Sequence, residues 1–176
     1  DFFLSSHMIE HTANPIKALK EWIRVVKVDG YLILLIPHKD GTFDHNRPTT
    51  SLEHLIHDYT YDVTEKDLTH MEEILKLHDL KLDLEAGSPE EFLERSRDNF
   101  TNRCFHHHVF TSMSVLKLID YLKLKIKVIE AIVPNHILIV AQKLEANATC
   151  DNSDIFSYVT SKKFKSPFIS DKVLSE

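Results

Sequence analysis

The sequence predicts an α/β fold with a doubly wound sheet, on three observations. Two apolar runs near the start, Phe2–Ser5 and Tyr31–Ile36, have strand length and bracket one amphipathic helix. Each runs into a polar segment, Ser5–His11 and then Pro37–His45, and in open sheets ligands bind at the carboxyl ends of the strands. Near the far end, Lys125–Val133 and His136–Lys143 flank Pro134-Asn135, the pattern of a closing antiparallel hairpin.

Element by element, Phe2–Ser5 is apolar enough to predict burial on both faces. Asn14 is a helix cap, and Pro15 sits at the first helical position, where its missing N–H costs nothing. Ile16, Leu19, Ile23 and Val26 repeat as one stripe, with Lys17, Lys20, Glu21 and Arg24 on the wet face. Asp29-Gly30 ends that helix and turns the chain into Tyr31–Ile36, apolar throughout like an interior parallel strand. A domain rarely begins on a central strand, so an amino-terminal half is expected ahead of Asp1.

Pro37–Thr49 is polar and long, a loop of functional type. Helices are predicted over Leu52–Tyr59 and over Thr64–Leu77, the latter started by Thr64 and Asp67 and burying Leu68, Met71, Ile74 and Leu75. Ser88-Pro89-Glu90-Glu91 is a complete helix start, predicted to run to about Asn102. Cys104–Phe110 is expected to be extended, and Ser112–Leu122 helical with Val115, Leu118, Ile119 and Leu122 inward. Past Leu144 the chain turns polar, and residues 145–176 are predicted to be a weakly ordered tail or linker.

Composition narrows the function classes. An apolar share of 43% in 176 residues supports a real core. A net charge of -6 argues against a nucleic-acid partner, whose footprint should be basic. No apolar run reaches the roughly 20 residues a bilayer span needs, so no membrane partner is expected. Two cysteines, Cys104 and Cys150, make no disulfide framework and point to a reducing, cytoplasmic setting. The three glycines are too far apart for a phosphate-cradling loop. Histidine is dense instead, twelve residues mostly between His38 and His108.

The stretch Asp1-Phe2-Phe3-Leu4-Ser5-Ser6-His7-Met8-Ile9-Glu10-His11, then Asn14-Pro15, a helix with Trp22, Arg24 and Val25, and Asp29-Gly30-Tyr31-Leu32-Ile33 resembles class I S-adenosylmethionine-dependent methyltransferases. The resemblance covers roughly residues 1–144, the carboxyl-terminal half of that domain. It implies a partial Rossmann-like sheet of strands four to seven, the last two an antiparallel hairpin, with a helical lid inserted at about 45–103. The family's Gly-rich cofactor loop and the acidic end of its second strand are absent, so a missing amino-terminal half or another subunit would have to supply them. By the resemblance, Ser5, Ser6 and His7 lie at the methionine end of S-adenosylmethionine, although serines also simply end strands.

His7, Glu10 and His11 stand at i, i+3, i+4, one face if helical. They would hold a divalent metal, or the Glu-His pair would orient the turn by hydrogen bonds. His38 follows the second strand, and Asp44-His45-Asn46-Arg47 lies further along the same loop. A carboxylate beside a histidine raises its basicity, so His38 or His45, with Asp44 as orienting partner, is the candidate general base for deprotonating an acceptor. Arg47 would clamp a phosphate or carboxylate on that acceptor. An ordinary solvated loop accounts for the same residues. In His106-His107-His108, an extended backbone points His106 and His108 one way, towards an acceptor site, or leaves all three as surface histidines.

The leading expectation is a methyltransferase acting on oxygen or nitrogen of a small polar acceptor, with a sugar or glycan precursor in mind because the supposed lid is polar rather than aromatic. The alternatives are a non-catalytic truncated remnant or subunit half, and a histidine-rich metal-dependent hydrolase.

Overall fold

The first apolar run forms β1 (Phe2–Ser6), and the capped amphipathic segment after it forms α1 (Pro15–Val25). In this computed structural model, which describes residues 1–172, the Asn14 side chain accepts from the Lys17 amide at 3.0 Å and α1 buries Ile16 and Leu19. The chain returns in β2 (Tyr31–Pro37) and, after the inserted helices, in the hairpin β3 (Lys125–Ile132) and β4 (His136–Gln142). These strands make one mixed sheet in the order β1-β2-β4-β3. β1 and β2 are parallel, with Phe2 opposite Tyr31 and Ser6 opposite Leu35. β4 pairs antiparallel with β3, as the hairpin pattern predicts, and also with β2.

β1 departs from the expectation of burial on both faces. It is an edge strand among the described residues, with Phe2 and Leu4 exposed. Phe3, on the other face, stacks on Trp22 of α1 with ring centres 5.0 Å apart.

The insertion holds α2 (Leu52–Thr60), α3 (Met71–Leu77), α4 (Pro89–Arg97) and α5 (Asn99–Asn102), and α6 (Ser112–Tyr121) follows it. The helix expected from Thr64 begins only at Met71. The Asp67 side chain accepts instead from the amide and hydroxyl of Thr69, a local turn that competes with helix initiation. The Ser88–Glu91 capping box forms as predicted. The helix then breaks at Asp98, because Asn99 gives its side chain to the following stretch, accepting from the Phe105 amide at 2.9 Å.

The main core lies between the sheet and α1, α2 and α6, around Ile16, Leu34, Ile36, Leu116, Ile119 and Ile139. The insertion has a small core of its own, Ile74, Ala86, Phe92 and Phe105.

Of the stretch predicted to be weakly ordered, residues 145–172 fold back onto the domain, and 173–176 lie outside the described residues. The folded part contains α7 (Ser153–Val159) and α8 (Ile169–Lys172). Asn152 donates to Leu124 O and accepts from the Ile126 amide, each at 3.0 Å. Buried Asp171 accepts from the Ser112 and Ser166 hydroxyls, both at 2.6 Å. The polar composition is used in specific hydrogen bonds rather than left to water. Among the described residues no helix is long and apolar enough to cross a membrane.

Candidate functional site

Because β1 and β2 are parallel, their carboxyl ends lie side by side. Pro37 pairs with His136, so the start of β4 arrives at the same edge. Gly41 brings the loop after β2 hard against the turn before β4; a Cβ there would lie 2.3 Å from the Pro134 carbonyl oxygen. His7 takes a left-handed backbone, φ 50°, which turns the chain sharply off the end of β1.

These segments enclose a cavity of about 340 Å³ whose lining includes His7, Glu10, His11, Phe43 and His106. A larger hollow of about 520 Å³, between residues 49–53 and α6, is lined by hydroxyls with Glu53 and Lys117 and carries no histidine. The chemistry therefore lies in the smaller one.

Glu10 is 1% exposed, and neither of its carboxylate oxygens has a hydrogen-bond partner. Burial pushes its carboxyl up to about 7, only partly opposed by His106. His11 Nε2 lies 3.9 Å from Glu10 Oε1, and His7 Nδ1 lies 3.7 Å from the same oxygen. Burial, with His106 beside it, pulls the His11 imidazole down to about 4. Burial and the neighbouring His136 and His106 lower His7 as well.

Asp44 is buried and accepts from Arg47 at 2.9 Å and from His106 Nδ1 at 2.5 Å. Burial alone would raise its carboxyl, but His106 and Arg47 outweigh it and hold the group below the usual range. His106 Nδ1 is thus committed to Asp44 and His11 Nδ1 to the Phe105 carbonyl at 2.8 Å. Each ring keeps Nε2 for other work, the arrangement in which an outer partner orients an imidazole.

Several expectations are corrected. His38 is fully buried rather than open to the crevice; Nδ1 accepts from the Asp40 amide, Nε2 lies 3.2 Å from Asp171, and the ring stacks on Phe168. His45 turns to Asp79 at 3.1 Å and stays outside the cavity lining. Arg47 is 1% exposed and engaged by Asp44, Glu73 and the His106 and His107 carbonyls, so its donors tie loops together rather than meet an acceptor. His108 lies in a separate buried cluster, away from His106. Ser5 and Ser6 end β1, Ser6 exposed, and neither lines the cavity.

For a metal, the ligand atoms of Glu10, His11 and His106 lie within 4.8 Å of one another. His106 replaces His7 in the expected triad, because His7 Nε2 pairs with His136 Nδ1 at 3.0 Å. His136 escaped the sequence reading; its signal is the hairpin turn, since an antiparallel β4 must begin where β2 ends.

In open α/β sheets ligands bind at the carboxyl ends of the parallel strands, and this cavity lies there. Residues 1–34 match the family model described as a methyltransferase domain. The match lies in the amino-terminal part of this chain, short of the 1–144 span of the resemblance. It takes in β1, α1 and the start of β2, the elements that place Ser5–His11. No curated protein and no solved structure matches the chain.

Proposed function

We propose that the chain is an S-adenosylmethionine-dependent methyltransferase acting on a hydroxyl or amine of a small polar acceptor, and that its strands stand as strands four to seven of the family's sheet. One observation carries the reading: Glu10, His11 and His106, the last held by Asp44, meet at a cavity beside the end of β1, which lies within the family match. The antiparallel β3–β4 hairpin beside the parallel β1–β2 pair supports the sheet assignment.

Exposed Ser6 and the sharp turn at His7 leave an open ledge beside the cavity, which fits the methionine end of the cofactor. Ser5, Ser6 and His7 would hold that end, and an amino-terminal half or another subunit would supply the remaining wall. The bound cofactor supplies an electrophilic methyl carbon. Glu10, His7 and Thr42 surround a polar acceptor, and Phe43 walls one side. His106 Nε2 takes the acceptor proton while Asp44 holds the ring and stabilises the charge it gains. His106 thereby replaces His38 and His45 as the base, and Asp44 keeps its orienting role.

A second reading has a divalent ion held by Glu10, His11 and His106, favoured by the two unpartnered carboxylate oxygens.

Transfer of a labelled methyl group from S-adenosylmethionine to a panel of sugars and small amines tests the assignment. Transfer that requires His106 supports it. Absence of cofactor crosslinking and of transfer in a normally folded chain, alone and with any amino-terminal partner added, overturns it in favour of a remnant.

A further inference from the structure

A second histidine cluster lies outside the crevice and serves no step above. α2 presents His54 and Asp58 one turn apart, His70 stands just before α3, and His108 belongs to the stretch leading to α6. His54 Nε2 lies 3.1 Å from His70 Nε2 and 3.2 Å from Asp58 Oδ2, and His108 Nε2 lies 3.6 Å from that same oxygen. The three imidazoles each place a nitrogen within 4.8 Å of the others.

We propose that His54, His70, His108 and Asp58 bind one zinc ion that staples the inserted helices to the body of the domain.

Geometry comes first. A tetrahedral ion with ligands at about 2.0–2.1 Å sets them about 3.3 Å apart, the spacing of the His54–His70 and His54–Asp58 edges; with His108 Nε2 turned to the Ala13 carbonyl, its Nδ1 is the nitrogen left to join them. A hydrogen bond between His54 and His70 accounts for one of those edges. It leaves Asp58 Oδ2 and His108 Nδ1 buried without a partner, in residues 4% and 1% exposed. Such atoms cost about 1–3 kcal/mol each unless something meets them.

The surroundings are those of a ligand set. Asp58 Oδ1 lies 3.4 Å from His57 Nδ1, and its backbone carbonyl accepts from Asn14 at 3.0 Å. His108 Nε2 lies 3.3 Å from the Ala13 carbonyl. A cavity of about 240 Å³ lined by Arg47, His54, His70 and Glu73 gives an ion a way in. Three imidazoles and one carboxylate suit zinc among the common divalent ions.

The staple answers a need of the fold. The insertion's own core comprises only four buried residues, too few to hold its helices in place, and the four ligands come from three separate segments.

The test uses the full chain carrying Glu10→Gln, which disables the crevice donors, stripped by chelator and titrated with Zn2+ and then Co2+. The expectation is one retained zinc, the visible absorption of tetrahedral Co2+, and a Tm raised by about 5–10 °C at a hundredfold excess over Kd. Adding His70→Ala should abolish zinc retention and the Co2+ absorption while leaving the metal-free Tm within a few degrees. Zinc held equally by the His70→Ala chain overturns the proposal. So does zinc bound by the wild-type chain but lost with Glu10→Gln alone, or no zinc uptake by either.

Discussion

An imidazole takes a proton usefully when one nitrogen is held and the other faces the substrate. Among the sequence candidates, His106 meets both conditions: Asp44 holds Nδ1, and the ring lines the cavity. His38 meets only the first: Nδ1 is held by the Asp40 amide, but Nε2 faces Asp171 in the interior and not the cavity. His106→Ala should therefore lower kcat for methyl transfer by about 10²–10⁴-fold with cofactor affinity unchanged. His38→Ala should show its main effect as a lower unfolding midpoint. Equal losses of kcat in the two variants would remove the base assignment. The sequence named His106 as an acceptor-site residue but not as the base, because the partner that orients it lies 62 positions away. Glu10 and His11 were marked by local spacing just past β1, while Asp44, further along the loop after β2, was marked only through its neighbour His45. The role of Arg47 was hidden in the same way: Glu73 lies 26 positions away, and the carbonyls of His106 and His107 lie 59 and 60.

Elements were most legible where a local signal set them. Asn14-Pro15 and Ser88-Pro89 start helices in the structure as they do on paper, and Thr111 caps α6 through Ser114. Elements failed where a polar side chain had a distant use, as with Asn99 and the stretch past Leu144. α8 is the clearest case: four residues, held by Asp171 beneath Ser112 and His38 and by Ser170 on Asp40. Asp171→Ala leaves the Ser112 amide, two hydroxyls and His38 without their acceptor. Breaking a buried charged network of this kind costs about 3–5 kcal/mol. Urea unfolding should show that loss as a lower midpoint with the slope unchanged. A variant within about 0.5 kcal/mol of wild type would mean that α8 is not held by this carboxylate.

At the scale of the whole molecule, the β2–β4 pairing, which sets Tyr31 opposite Gln142, joins distant segments, while the strands and the β3–β4 hairpin were legible from apolar run lengths and one turn. Closure of the last segment over the sheet was not, since it depends on a buried carboxylate in a polar sequence. That carboxylate ties stability to pH. Burial alone would push the Asp171 carboxyl up, but hydrogen bonds from His38, Ser112 and Ser166 outweigh it and hold it below its ordinary value of 3.8. The folded form thus binds the proton less readily than the unfolded chain. Its contribution is complete above about pH 4 and is lost as pH falls towards the depressed folded value. Other carboxylates titrate in the same window, so the comparison to make is wild type against Asp171→Asn. The stability gap between them should be constant from pH 7 to about 5 and narrow steadily from there towards pH 2. A gap that stays flat through pH 3, in unfolding midpoints followed by circular dichroism, would show that the charge on Asp171 does not hold the carboxyl-terminal segment in place.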